Sequence, residues 1–280
     1  MEERVVHILW TGGLESTYRV VELSQTDCII QPHYIIYKYR GKRESKDYEL
    51  RAIHKITDIL KKDKRTKGTI LPPIICNFND ENNKTEDYQD IKEAGVILAT
   101  IKGCVSRQYL MFARYARNEN LKLEMGVRFS SHGGIGKAID TSFLVEHPVY
   151  HDVLMIDPEK GQKDWASYTV FKDFLFPKSL FHKEKKDEAG ELANDGYGEV
   201  LKNVWSCYNP VFGMPCGYCS PCMGAKLEGI GYMIPFWGNF LGAVRLRATK
   251  YPRMILRKIL PNKLYEMLKV LFHKSHTLMK

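Results

Sequence analysis

An apolar run, a glycine pair and a helical repeat follow one another at residues 4–25, and this order constrains the architecture more than any other feature of the chain. Residues 4–10 (RVVHILW) read as a short buried strand, Thr11-Gly12-Gly13 as a tight turn, and residues 15–25 as a helix. The alternation then repeats. Residues 29–37 (IIQPHYIIY) predict a second strand interrupted at Pro32, and residues 46–62 place Leu50, Ile53, Ile56, Ile59 and Leu60 at helical spacing. Residues 69–76 (TILPPIIC) suggest a third strand despite two prolines. A polar loop is expected at 78–89, two helices broken near Gly103 at 90–117, and a fourth strand at 121–129. Strands alternating with helices predict an α/β fold, a parallel sheet with helices on both faces. The polar, glycine-containing stretch 183–199 reads as a surface loop.

The glycine turn is also a chemical signal. Glycines let a backbone approach a phosphate closely, successive N–H groups cradle it, and the helix N-terminus adds partial positive charge. Thr11, Ser16 and Thr17 add hydroxyl donors. No Gly-Lys-Ser/Thr follows, so this is not a Walker loop, and the third glycine of a dinucleotide fingerprint is missing. By itself the turn is equally compatible with a plain strand-to-helix connection.

Cys207, Cys216, Cys219 and Cys222 follow the spacing C-x8-C-x2-C-x2-C. Overlapping C-x2-C pairs point three thiolates inward, and the longer loop returns the fourth. Four thiolates suit tetrahedral Zn²⁺ and leave no open position for water, so the site is expected to be structural. Pro215, Gly217 and Pro221 favour the turns this requires. An iron–sulfur cluster is the alternative on spacing alone. Cys28, Cys76 and Cys104 sit in apolar contexts and read as small core residues, with a nucleophilic role for Cys76 as the lesser alternative. The sequence shows neither an export signal nor a long apolar span, and the reduced cysteines fit a cytoplasmic setting.

Together the two constellations resemble one family. Thr11-Gly12-Gly13-Leu14-Glu15-Ser16-Thr17 resembles the Ser-Gly-Gly-x-Asp-Ser signature of the PP-loop ATP pyrophosphatases. Trp205-Ser206-Cys207-Tyr208, Cys216-Gly217-Tyr218-Cys219-Ser220-Pro221-Cys222 and Gly229-Ile230-Gly231 are similar to the zinc segment of the QueC-like 7-cyano-7-deazaguanine synthases. Tyr39-Arg40 with Glu49-Leu50, and Ser106-Arg107-Gln108, resemble further segments of that family. The resemblance implies a Rossmann-like (HUP/PP-loop) fold over residues 1–235, with a zinc knuckle at 205–232. It implies ATP, Mg²⁺ and Zn²⁺ as cofactors. Thr11, Glu15 and Ser16 would be catalytic, and Trp10, Thr11, Gly12, Gly13, Leu14, Glu15, Ser16, Thr17, Tyr39 and Arg107 would bind nucleotide.

The implied reaction adenylates a 7-deazaguanine carboxylate and passes it to a nitrogen nucleophile. Activation is needed because a carboxylate has a poor leaving group. The acceptor is ammonia, giving an amide and then a nitrile, or an amine on a macromolecule, as in QueC-like relatives from anti-phage gene clusters. Two departures bear on this. Glu15 replaces the family's aspartate and shifts its carboxylate relative to a bound magnesium ion or a hydrogen bond. After Gly126-Val127-Arg128 the family's Gly-Tyr-Pro-Asp-Cys-Arg stretch is replaced by Ser130-Ser131-His132-Gly133-Gly134-Ile135-Gly136-Lys137. The other two readings are a PP-loop enzyme of tRNA modification and a catalytically impaired nucleotide-binding partner protein.

Three weaker features carry bland readings: His132-Gly133-Gly134 as a flexible loop, His147, His151 and Asp152 as surface residues, and Lys137 as a solvated lysine. The net charge of +9 is strongly localised. Residues 236–280 hold ten Lys or Arg and one acid, Glu266, whereas residues 1–235 balance at 32 basic and 32 acidic residues. This basic, amphipathic extension predicts helices at 242–260 and 263–274. A protein partner or a homodimer contact is its first reading, nucleic acid the second and a membrane surface the last.

Overall fold

The computed structural model describes residues 3–37, 45–78, 88–101, 107–129, 134–240 and 243–244. The helices predicted in the basic extension fall almost wholly outside these residues, as do Tyr39, Cys104, Ser106, His132 and Gly133.

The first half of the chain follows the expected alternation. β1 (Val5–Leu9) leads into α1 (Leu14–Ser24), and β2 (Ile29–Tyr37) into α2 (Lys46–Lys62). In α2 the predicted face packs inward through Ile53, Ile56 and Leu60, while Asp47 and Glu49 at its start and Lys61 and Lys62 at its end suit the helix dipole. Next come β3 (Thr69–Ile70), β4 (Ile74–Phe78), α3 (Gln89–Ile101), α4 (Arg107–Asn118) and β5 (Leu123–Met125). Beyond them lie the short α5 (Gly134–Ala138), β6 (Leu144–Glu146), β7 (Val153–Ile156), α6 (Pro158–Gly161), α7 (Trp165–Phe171) and β8 (Phe174–Pro177).

These strands form one sheet in the order β3-β2-β1-β5-β8-β7-β6, with β4 also paired to β2. The pairings among β1 to β5 and β8 are parallel, but β7 runs antiparallel to β8, and β6 to β7. The sheet is therefore mixed, a correction to the all-parallel expectation. The two antiparallel strands are joined by a short connection across Val149–His151 that needs no crossover helix.

Two details of strand geometry follow from proline. β2 is continuous through Pro32 rather than interrupted there. The backbone O of Ile30 accepts from Leu71 N–H (2.9 Å), whereas that of His33 accepts from Trp10 N–H (3.1 Å). Even-numbered residues of β2 thus turn toward the outer strand, so the missing N–H of Pro32 faces outward. There the expected third strand is broken into β3 and β4 by Leu71-Pro72-Pro73, and the Gln31 side-chain amide bridges the gap by donating to Pro72 O (3.0 Å).

Alternate strand residues feed two cores. Val6 and Ile8 join Ile30 and Tyr34 against α1 and α2, whereas Leu9 and Ile35 pack with α3, α4 and α7 on the other face. The segment 183–199 is not a loop. It forms α8 (Lys185–Asn194) and the start of α9 (Gly198–Asn203), which cover the first core. α8 buries only Glu188, Ala189 and Leu192, a stripe too narrow to be read as helical periodicity. The chain then reaches α10 (Ser220–Leu227), which carries the last of the four clustered cysteines. No helix among the described residues is long and apolar enough to cross a membrane.

An ionic network pins β1, α1 and β5 together. Arg19, 4% exposed, donates through Nε to Glu124 Oε2 (2.8 Å), and Arg4 reaches Glu124 Oε1 (3.1 Å). Asp152 pairs with both arginines, and His151 with Glu146 (2.6 Å), so His147, His151 and Asp152 build no metal site. Replacing Glu124 by alanine removes the buried partner of Arg19 and leaves its charge to the more exposed carboxylates of Asp152 and Glu22. The expected cost is about 3–5 kcal/mol, read as a lowered midpoint in urea unfolding. A loss below about 1 kcal/mol would show the network to be dispensable.

Candidate functional site

β1 ends at Leu9, and the chain turns into α1 beside α2. Gly12 has φ +73°, and a Cβ there would stand 3.0 Å from Ala52 Cβ and 3.2 Å from Glu49 O, so only glycine suits the turn. Gly13 is the N-cap of α1 and its N–H precedes the first turn, which closes through Thr17 N–H to Gly13 O (3.0 Å). A glycine cap offers no side-chain acceptor to the first-turn amides, which leaves the positive end of the helix facing outward.

That end opens into a cavity of about 410 Å³. Thr11, Gly13, Glu15 and Ser16 line it from the turn, His33 and Ile35 from β2, and Met125 and Gly126 from the end of β5. The cavity therefore sits at the carboxyl ends of parallel strands, where β1 is flanked by β2 on one side and β5 on the other. This is the switch point at which open α/β sheets bind ligands. Gly126 lets the chain pass α1: a Cβ there would lie 2.8 Å from Ser16 Cα and 2.9 Å from Ser16 N.

Not all of the predicted nucleotide contacts face this space. Trp10, Leu14 and Thr17 are buried in the core, with Trp10 Nε1 donating to Thr17 Oγ1 (3.0 Å). Their side chains build the floor beneath the turn rather than a ligand surface, because they lie on the face of β1 and α1 that packs inward. Gly12 is packed against α2, as described. Arg107 stands exposed at the start of α4, while Gln108 beside it lines the cavity, as does Glu49. Burial pushes the thiol of Cys28 up; it does the same to Cys76, with Glu119 adding, which works against a thiolate nucleophile.

The far wall comes from the cysteine segment, through Trp205, Ser206, Tyr208 and Ser220. The four thiols are buried, and their sulfur atoms all lie within 4.8 Å of one another. Cys216 N–H points at Cys207 Sγ (3.2 Å) and Cys219 N–H at Cys216 Sγ (3.3 Å), which is how amides stabilise metal-bound thiolates. The donor set fits a tetrahedral metal ion held entirely by protein. The knuckle is also tied to the glycine turn: Trp205 N–H donates to Gly12 O (2.8 Å), and its indole stacks on Tyr48 at 4.7 Å.

Glu15, expected in the site, is joined there by charged residues that the sequence does not single out. Glu15 pairs with Lys185 (3.3 Å) and Arg128 (3.6 Å), and Glu228 with the same two bases at 3.2 Å and 2.7 Å. Burial works against the Lys185 ammonium, but the carboxylates of Glu15 and Glu228 outweigh it and raise its pKa. Glu188, one turn along α8, is fully buried with neither carboxylate oxygen hydrogen-bonded; burial, then the charge of Glu15, pushes its pKa up. Lys185 and Glu188 belong to the stretch that reads as a loop, and nothing in their local pattern marks them.

His33 is 2% exposed, with both ring nitrogens engaged: Nε2 with His7 Nδ1 (2.9 Å) and Nδ1 with the Tyr115 hydroxyl (2.8 Å). Burial, then the neighbouring His7, lowers its pKa from 6.5 to about 4. The folded chain holds His33 neutral while the unfolded chain protonates it. This contribution is complete above the ordinary pKa of 6.5 and is lost as the pH falls toward about 4. Between near pH 7 and near pH 5 it amounts to about 2 kcal/mol. His33→Gln is expected to flatten that part of the stability–pH curve in urea titrations, and an unchanged slope would exclude His33 as its source.

No protein-family model matches the sequence, and no curated protein matches it.

Proposed function

We propose that this chain is an ATP-dependent, AMP-forming enzyme of the QueC-like type, which adenylates a 7-deazaguanine carboxylate and transfers the acyl group to a nitrogen nucleophile. The observation that carries this reading is the glycine-capped N-terminus of α1 opening into the switch-point cavity, with Lys185 at its edge. A helix N-terminus with a nearby ammonium group is suited to a polyphosphate. The backbone of Gly13 to Ser16 would hold the β- and γ-phosphates. Attack of the substrate carboxylate on the α-phosphorus forms an O–P bond and expels pyrophosphate, whose charge the helix end and Lys185 stabilise. The amine then attacks the acyl carbon and expels AMP.

Magnesium, when bound with the nucleotide, supplies charge neutralisation between the phosphates, and Glu15 and Glu228 are the carboxylates at hand to hold it. Tyr109, Phe112, Trp205 and Tyr208 offer aromatic faces for a planar heterocycle. Zinc held by Cys207, Cys216, Cys219 and Cys222 would take no part in the chemistry and would fix the wall that carries Trp205 and Tyr208.

The test is pyrophosphate release from ATP with 7-carboxy-7-deazaguanine, alone and with ammonia or candidate protein amines. Release is expected to require the deazaguanine. Gly13→Asp, which sets a carboxylate where the phosphates rest, is expected to lower the rate by about 100-fold or more. Deazaguanine-independent release would remove the substrate assignment, and no ATP turnover under any condition would remove the enzyme reading. Mass spectrometry of the products identifies the acceptor.

A further inference from the structure

We propose, on the deazaguanine reading above, that Glu49 selects the substrate heterocycle by its edge, accepting the two adjacent N–H groups of a guanine-type ring. Glu49 is 2% exposed, yet it lines the switch-point cavity together with Trp205 and Tyr208. A buried carboxylate is costly wherever packing alone would do. This one stands at the wall of a cavity whose aromatic faces suit a planar ring, so it meets the rim of whatever stacks there.

The fold holds the group in place. Glu49 lies in the first turn of α2, with its N–H donating to Ser45 O (2.9 Å), where negative charge suits the helix dipole. Its own carbonyl stands against the glycine turn, 3.2 Å from where a Cβ on Gly12 would lie. The hydroxyl of Tyr34, a fully buried residue of β2, donates to Glu49 Oε2 (2.6 Å) and orients the carboxylate. An ionised carboxylate accepts at about four lone-pair positions, more than one phenol uses.

The chemistry of the edge selects the ligand. A guanine-type ring carries a lactam N–H beside an exocyclic amine, two parallel donors that match the two oxygens of a carboxylate. An adenine-type ring sets an acceptor nitrogen beside its amine, and that lone pair repels the second carboxylate oxygen. A hypoxanthine-type ring keeps the lactam N–H but lacks the amine, so one oxygen of the acid is left without a donor. Glu49 therefore accepts the first ring and disfavours the other two. The adenine of ATP is left to other parts of the cavity, where Tyr109 and Phe112 offer their faces.

Titration calorimetry of the full chain tests this, with 7-deazaguanine, 7-deazahypoxanthine, 7-deazaadenine and the β,γ-imido analogue of ATP as separate probes. 7-Deazaguanine is expected to bind about tenfold or more tightly than the other two bases. Glu49→Gln keeps the shape and an acceptor for Tyr34 but turns an amide N–H toward the donors of the ligand. It is expected to weaken 7-deazaguanine roughly 100-fold, to erase the preference among the bases, and to leave the ATP analogue unaffected. Tyr34→Phe, which only releases the carboxylate to turn, is expected to weaken 7-deazaguanine about tenfold. Undiminished binding of 7-deazaguanine by Glu49→Gln, no preference among the bases, or loss of the ATP analogue in its place would overturn the assignment. The preference is read on the unaltered chain, so it decides the matter even where a substituted chain does not fold. Intact base selection without pyrophosphate release would remove the enzyme reading alone and leave the role of Glu49 standing.

Discussion

Stripping the metal from the four-cysteine site, or replacing Cys219 by serine, is expected to abolish turnover and lower the melting temperature by about 10 °C or more. The four cysteines lie in the same core as Leu14, Val21 and Ile53, so the site is not an appendage. A structural zinc contributes about 10–16 kcal/mol of apparent binding free energy, comparable with or larger than the whole stability of a domain. The loss has a definite route into the switch-point cavity. Trp205 would no longer be held where its N–H meets Gly12 O, and the wall bearing Tyr208 and Ser220 would come away from the glycine turn. Metal analysis of the purified chain is expected to return stoichiometric zinc. A visible absorption band from iron would reassign the site, and a metal-free chain with an unchanged melt would refute a structural role.

Gly126→Ala is expected to reduce pyrophosphate release by about 100-fold or more while costing only about 1–3 kcal/mol of stability. The added methyl group would meet Ser16 Cα at 2.8 Å, Ser16 N at 2.9 Å and Glu15 C at 3.1 Å. All three are backbone atoms, so no side chain can turn aside. α1 must retreat from β5, and its first turn is the part that faces the cavity. Gly190→Ala is the matching control: that glycine lies inside α8 with nothing within 4 Å of the added Cβ. There the change is expected to leave turnover intact and to stabilise by about 0.5–1 kcal/mol. Equal activity in the two variants would mean that the position of the α1 end is immaterial to the reaction.

The parts of this fold that the sequence discloses are those where one physical cause acts alone. α2 spans the residues its apolar spacing predicts because one helix face meets one core. The glycine turn is legible because few other local structures need two glycines between a strand and a helix. The cysteines are legible because their spacing carries its own geometry. The rest depends on partners distant in sequence. β8 is a fully buried four-residue run, Phe174–Pro177, too short to show a period, and β6 and β7 are short strands that only their pairing defines. Proline misleads in β2, because whether Pro32 breaks a strand depends on which neighbour its missing N–H faces. In the candidate site, Thr11, Gly13, Glu15 and Ser16 line the cavity. Trp10, Leu14 and Thr17 belong to the same motif but turn inward, a distinction set by the pleat of β1 and the pitch of α1. Lys185 and Arg128, remote from the turn in sequence, reach it only through the fold.

The double proline that splits the outermost strand has a bearing on how this molecule behaves in company. An open sheet ends in a strand whose outer amides invite any passing chain to add another rung. On this margin, where Ile74 and Ile75 stand 46% and 47% exposed, such an invitation would be costly. Pro72 and Pro73 carry no N–H and separate β3 from β4, so an incoming segment meets a gap before it can gain a continuous ladder. The break thus acts as a guard against sticking to unfolded neighbours, and restoring hydrogen-bonding residues there would trade that guard for a longer and more adhesive rim.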